Sequence, residues 1–287
     1  MRVLAFDTSN YTTSVASFDG TAGHNISRLL DVEQGALGLR QSDALFAHVK
    51  RLPELADRLF SDIGTDAGFE AVGVSTRPRA VEGSYMPCFL AGESQARVLG
   101  AALGVPVLPF SHQQGHIAVS LWGSGHMELM DEPHLAWHLS GGTTDISAGQ
   151  LIDRTGKLLG LPFPSGKHID ALSRSAQDRQ VFRVKVQGTT FSLSGVQNKV
   201  EQYHAAGNSP EETAGYALRC LIGAIVRATE NALLEYPGSS VVFAGGVASN
   251  TLLRSSCAAL PAVFCPPQFA TDNALGVAVL TWRALHG

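Results

Sequence analysis

"LAFDTSNYTTSVAS", residues 4–17, aligns without a gap on "LAWHLSGGTTDISA", residues 135–148. Leu4 matches Leu135, Ala5 matches Ala136, Ser9 matches Ser140, Thr12 matches Thr143 and Thr13 matches Thr144, while Phe6 over Trp137 and Val15 over Ile146 are conservative. Each copy reads as an apolar strand, a small polar turn and a second short strand: a β-hairpin whose tip offers backbone N–H groups and hydroxyls. A repeated supersecondary unit predicts the architecture more firmly than any single motif. The expectation is an α/β chain of two similar, duplicated halves around a nucleotide cleft, because turn amides and Ser/Thr hydroxyls on two facing hairpin tips cradle a polyphosphate.

The segments after each hairpin alternate as such halves should. "FEAVGVSTRP" (69–78) reads as a strand and "PCFLAGESQARVLGAAL" (87–103) as a helix. In the second half Ala214, Leu218, Leu221, Ile222 and Ile225 recur at helical spacing, and "SSVVFAGGV" (239–247) is a β-branched run ending in glycines, with a helix expected from about Ala248. Glycines between a buried strand and a helix let the backbone approach a ligand and aim the helix N-terminus at it. Asn250 in that turn has two readings, a contact to a ribose or base edge and a helix cap.

"PFSHQQGHIAVSL" (109–121) sets His112 and His116 four apart, one above the other on a helical face. In a zinc-helix protease a Glu follows the first His as general base; Gln113 stands there and takes up no proton at neutral pH, so a metalloprotease is not expected. The pair is either two-thirds of a metal site awaiting another ligand or two satisfied histidines on an ordinary helix.

Composition limits the classes. The 287 residues are 45% hydrophobic and 16% charged, which describes a globular protein with a sizeable core and room for two domains. No apolar run approaches the roughly 20 residues of a membrane span, "MRVLAFDTSN" carries no signal-peptide pattern, and a cytoplasmic chain is expected. Cys88, Cys220, Cys257 and Cys265 form no CxxC pair, which suits core filling in a reducing compartment. A formal net charge of −4 gives no global attraction for nucleic acid. One local excess stands out: Arg174, Arg179, Arg183, Lys185 and Lys199 against Asp178, either a track for a phosphate backbone or a solvated face.

These residues resemble a known family. "VLAFDTS", "SHQQGH", "LSGGTTD", "DRTGKLLGLPFPSG", "FSLSG", "AGGVASNTLLR" and "ATDNALG" occur in the order seen in the tRNA threonylcarbamoyladenosine synthase family, once described as glycoproteases, and span nearly the whole chain. The resemblance implies the actin-like, sugar-kinase-like ATPase (ASKHA) fold, with halves at 1–110, completed by a C-terminal helix at 271–287, and at 111–270. It implies Asp272 as the carboxylate joining His112 and His116 on one metal ion, iron or zinc, with open positions for substrate oxygens. It implies an adenine nucleotide, ATP or threonylcarbamoyl-adenylate, touching Leu139, Ser140, Gly141, Gly142, Asp153, Gly166 and Asn250. It also implies tRNA as substrate, and either protein partners from the tRNA-modification machinery or a homodimer, with no membrane.

The departures fall at the reacting corner. Tyr11 and Thr12 stand where the family carries acidic residues, Thr143 replaces a histidine, Ser165 replaces a glycine, and the stretch from Ser147 to Leu151 is shorter than usual. A divergent paralogue is therefore expected. The expected function is transfer of a threonylcarbamoyl group from threonylcarbamoyl-adenylate to N6 of adenosine beside the tRNA anticodon, or a reduced form of that activity. The alternatives are a non-catalytic nucleotide-binding partner of the modification complex, and a small-molecule kinase or carbamoyltransferase of the same fold.

Overall fold

The computed structural model describes residues 1–9, 11–31, 39–64, 68–139 and 146–287. The chain divides into two compact units, Met1–Met130 with Thr271–Gly287, and Asp131–Ala270.

The first unit is built on a five-stranded sheet of order β3-β2-β1-β4-β5. Strands β1 (Arg2–Thr8), β2 (Thr12–Phe18) and β3 (Gly23–Leu29) form an antiparallel meander, and β4 (Phe69–Arg77) and β5 (Val107–Ser111) add in parallel beyond β1. The expected first hairpin is thus present, with Leu4 opposite Ser17 and Thr8 opposite Thr13. Strand β1 is buried from Val3 to Thr8, so its two faces serve different neighbours. Leu4 and Phe6 join a core with Leu52, Leu55 and Leu59 of α1 (Gln41–Ile63) and with Ala91 and Ala96 of α2 (Phe89–Leu103). Asp7, one step out of phase, points to the opposite face.

That face is covered by α3 (His112–Ser124) and by the last helix of the chain, α9 (Leu275–His286). Gly73 of β4 has no side chain because α9 lies on it: a Cβ there would sit 1.9 Å from Thr281 Oγ1. Helices α3 and α9 meet backbone to backbone, since a Cβ on Gly276 would lie 1.8 Å from the Gly115 carbonyl oxygen. This crossing explains why the compact unit runs on to Met130 and does not end near residue 110: α3 packs with the sheet and α9 of its own unit.

The second unit holds a three-stranded parallel sheet, β10-β9-β6, from β6 (His134–His138), β9 (Ser240–Ala244) and β10 (Ala262–Phe264). It corresponds strand for strand to β1-β4-β5. Helices α4 (Ala148–Leu158), α5 (Gly166–Ser173), α6 (Ser194–Ala205), α7 (Pro210–Glu235) and α8 (Thr251–Ser256) surround it, and a two-stranded hairpin pairs β7 (Val186–Gln187) with β8 (Thr190–Phe191). The long helix α7 supplies Ala214, Leu218, Leu221, Ile222 and Ile225 to the core, as their spacing predicts.

Where the return strand of the second hairpin is expected, the described residues 146–148 take another form. Ile146 and Ser147 lie outside any strand and Ala148 opens α4. Ser147 forms a capping box with Gln150, its side chain accepting from the Gln150 N–H, and Ala148, Leu151, Ile152 and Thr155 are buried at helical spacing. Local capping and a 3.6-residue pattern outweigh the similarity to the first copy. All four cysteines are buried and free. Among the described residues no helix is long and apolar enough to cross a membrane.

Candidate metal centre and the residues around it

Strand β5 ends at Ser111, whose side chain accepts from Gln114 N–H while the Gln114 side chain accepts from the Ser111 N–H. This capping box starts α3 at His112, and the next turn brings His116 beneath it with the two rings edge to face, centroids 4.5 Å apart. Asp272 lies just ahead of α9, and the glycine crossing of α3 and α9 carries its carboxylate to the histidines.

The three donor atoms converge: His112 Nε2 and His116 Nε2 are 3.0 Å apart, His116 Nε2 and Asp272 Oδ1 3.1 Å, and His112 Nε2 and Asp272 Oδ1 3.5 Å. Two ligands held at about 2.1 Å from one ion subtend such separations at angles of about 90–115°. The donor set therefore fits a divalent transition metal on one triangular face.

Asp7 organises this site. Its Oδ2 lies 2.8 Å from His112 Nδ1 and accepts a 2.5 Å hydrogen bond from Ser75 Oγ, while its Oδ1 accepts from the Ser9 N–H at 3.0 Å. A carboxylate on Nδ1 fixes that nitrogen as the protonated one and leaves Nε2 to ligate. Ser9 Oγ donates to Asp272 Oδ2 at 3.1 Å, so the turn after β1 holds the third candidate ligand as well. Burial, the largest influence on His112, opposes its protonation but is outweighed by Asp7 and Asp272, and its pKa rises to about 10. Burial acts to raise Asp272, yet the hydrogen bonds from His112 and His116 prevail and hold its carboxyl well below the usual range. The constellation is arranged around a positive charge.

Behind the first hairpin, α1 places His48 in the core, with Nδ1 2.8 Å from Thr13 Oγ1. Burial dominates and pushes its pKa down to about 4 against the opposing pull of Asp7. Tyr11 and Thr12 occupy the same hairpin: the Tyr11 carbonyl accepts from the Leu30 N–H, and Thr12 is buried at the start of β2.

The residues expected at a nucleotide lie in the second unit. Leu139 continues β6, its N–H donating to the Ala244 carbonyl, and Gly245 passes so close that a Cβ would come 2.8 Å from the Leu139 carbonyl oxygen. Ser140, Gly141, Gly142 and Thr143 lie outside the described residues. Asp153 on α4 accepts from the Ser165 N–H at 2.8 Å, and burial raises its pKa. Gly166 opens α5 facing open space, with nothing within 4 Å of where a Cβ would be. Ser165 packs against Gly156, whose Cβ would fall 2.0 Å from Ser165 Oγ. Asn250 caps α8 through its carbonyl oxygen, which accepts from the Leu253 N–H, and its amide donates to Asp170 Oδ1 at 2.8 Å. The capping reading of Asn250 is therefore realised, and one amide hydrogen remains for another partner.

Asp7, Ser75 and Asp170 were not singled out in the sequence, and Ser9 was noted only as part of the repeat. For Asp7 a signal existed: an acid inside the apolar run "VLAFDTS" is buried by its strand, and a buried carboxylate needs partners.

The sequence profile of the tRNA N6-adenosine threonylcarbamoyltransferase family matches residues 36–279. The chain belongs to that family. Within the tRNA N6-adenosine threonylcarbamoyltransferase family, the protein of that name from Carboxydothermus hydrogenoformans is 30% identical over 315 aligned positions, covering 99% of this chain and 93% of the relative. Among solved structures the chain is similar to full-length HypF in its phosphate- and nucleotide-bound form, with TM-score 0.62 at 12% identity over 99% of this chain and 47% of HypF. It is also similar to the activator of 2-hydroxyisocaproyl-CoA dehydratase from Clostridium difficile with bound ADPNP, with TM-score 0.52 at 12% identity over 100% and 96% of the two chains. The fold is that of the actin-like and sugar-kinase-like ATPases.

Proposed function

We propose that this family member transfers a threonylcarbamoyl group from threonylcarbamoyl-adenylate to N6 of an adenosine beside the tRNA anticodon, with one iron or zinc ion held by His112, His116 and Asp272. The observation that carries the reading is the convergence of those three donor atoms within 3.5 Å of one another, with Asp7 behind His112. When bound, the ion supplies a Lewis acid and template for substrate oxygens.

In the reaction the adenosine N6 attacks the carbamoyl carbon, the bond from that carbon to the phosphate oxygen breaks, adenylate leaves as an anion, and the amine gives up a proton. Asp7 and Ser9 hold the ligand side chains in place, so binding geometry is set before substrate arrives. Leu139, Ser140, Gly141, Gly142, Asp153, Gly166 and Asn250 are proposed to contact the adenine nucleotide. The departure at Tyr11 limits the rate. A neutral phenol is a poor proton acceptor where an ionised carboxylate would serve, and the chain is proposed to be a divergent, slowed member of its family.

The test is nucleoside analysis by mass spectrometry after unmodified tRNA is incubated with pre-formed threonylcarbamoyl-adenylate and the metal-loaded protein. Slow formation of threonylcarbamoyladenosine, abolished by His116→Ala, is expected. No product under any loading condition, with an active family member as control, would overturn the assignment.

A further inference from the structure

The basic run between 174 and 199 takes a definite form in the fold. Residues 177–188 lie as a strap along α7, tied to it at intervals. The Gln177 and Asp178 N–H groups donate to the Glu212 carboxylate, Arg219 Nε donates to the Gln180 carbonyl, and Phe182 N–H points to Cys220 Sγ. Further along, Arg227 Nη2 donates to the Val184 carbonyl at 2.7 Å and Asn231 Nδ2 to the Gly188 carbonyl at 2.8 Å. From Glu212 to Asn231 the helix advances about 28 Å. Ten strap residues cover that distance at about 2.8 Å each, which is nearly extended chain.

An extended strap alternates its side chains. Phe182, Val184 and Val186 turn toward the core of the unit, while Arg183 and Lys185 are exposed on the other side. Arg183 and Lys185 therefore stand about 6–7 Å apart along one edge, a spacing of the order of successive phosphates on a single strand. With Arg227 they line a pocket of about 470 Å³ that also includes Glu230 and Asn231. Among the described residues none of these three cations forms an ion pair, whereas Arg174 of the same run is neutralised by Asp170 at 2.6 Å. Three cations against one carboxylate make a local positive field on a chain whose formal net charge is −4.

We infer that the strap edge and pocket formed by Arg183, Lys185 and Arg227 bind the phosphate backbone of an RNA. The inference rests on the reading of this family member as a protein that acts on tRNA, and adds a contact surface to it. A pocket of this volume exceeds a single phosphate, and its cations form a row along a strap. No aromatic side chain lines it, so it offers no platform for stacking a base. Contacts of this kind position a nucleic acid without reading its sequence.

Fluorescence anisotropy of a labelled unmodified tRNA and of an unrelated stem–loop RNA, between 50 and 200 mM salt, tests it. Each phosphate contact contributes about 0.7–0.9 to the slope of log K against log salt, so Arg183→Gln/Lys185→Gln should flatten the slope by about 1.5, equally for both RNAs. Arg183→Lys/Lys185→Arg should restore it. Both side chains are exposed and tie down no backbone, so the melting temperature should not change. Equal slopes for wild type and the Gln variant, or no binding by the wild type, would overturn the inference. So would calorimetry in which inorganic phosphate or ATP loses its binding in the Gln variant while the RNA slope stays the same, since the pocket would then serve a free anion. Transfer activity is scored separately. A strap-dependent slope without transfer would sink the transferase reading alone, and transfer with an unchanged slope would sink this inference alone.

Discussion

At Phe6 and Trp137 the two copies of the repeated strand behave alike. Phe6 is buried among α1 and α2, and Trp137 packs on the core of its own unit and donates to Thr229 Oγ1 on α7. Beyond the strand ends they part. In the first copy Asp7 and Ser9 hold His112 and Asp272, two of the candidate metal ligands, and the chain turns back as β2; in the second, Ser147 caps a helix. Duplication preserved the parallel strands β1-β4-β5 and β6-β9-β10 while the segments leaving them were free to change, because strands are held on both faces and turns are not. The proposed metal chemistry lies at the first copy's turn.

The sharpest way to break that comparison is to remove a ligand. His112→Ala should abolish stoichiometric metal by elemental analysis, whereas Asn250→Ala, a cap substitution in the second unit, should leave metal content unchanged. Equal metal in wild type and His112→Ala would remove the metal centre from the first copy. Next in size is the acid missing from the same turn: Tyr11→Asp restores a carboxylate where the phenol stands and should raise transfer by about 10²- to 10⁴-fold, the usual worth of a general base. Rapid transfer by the wild type would show the phenol to be no obstacle.

His48 marks the first hairpin through pH. Its pKa falls from 6.5 to about 4 on folding, so the unfolded chain binds the proton first as pH drops. The stabilising contribution is fully present above pH 6.5 and is lost as pH falls through the window between 6.5 and 4, about 3 kcal/mol in all. Denaturant melts of wild type and His48→Gln across that window should diverge toward neutral pH, and parallel curves would exclude this source. Asp7→Asn comes next: without the carboxylate on Nδ1, metal affinity should drop about 10- to 100-fold, read by competition with a chelator.

Much of the first unit was legible because its information is local. The continuous apolar run opening "VLAFDTS", the helical pair His112 and His116, and the apolar strand at 69–77 depend on neighbours within a few residues. The crossing of Gly115 with Gly276 was not, since a contact between residues so far apart in the chain leaves no periodic trace, and that crossing moved the unit boundary from 110 to 130. Asp272 was reached only through the family resemblance, for the same reason. At 146–148 the strand reading failed because the repeat copies a strand pattern while Ser147 and Gln150 encode a capping box that outweighs it.

The smallest predicted effect separates two glycines of the second unit that look alike in sequence. Gly245 sits at φ +88° with the Leu139 carbonyl against it, so Gly245→Ala incurs both backbone strain and a clash and should cost about 1–2 kcal/mol in a denaturant melt. Gly166 has no positive φ, opens a helix and faces empty space, so Gly166→Ala should stabilise the fold by about 0.4–1 kcal/mol through the unfolded chain. A glycine that the fold itself does not require points to something else that must come close. If an adenine nucleotide lies there, Gly166→Ala should bind ATP more weakly in calorimetry while melting at a higher denaturant concentration. A Gly166→Ala protein that is more stable and binds ATP as the wild type does would take Gly166 out of the proposed nucleotide contacts, and would leave Gly245 as a glycine required by packing alone.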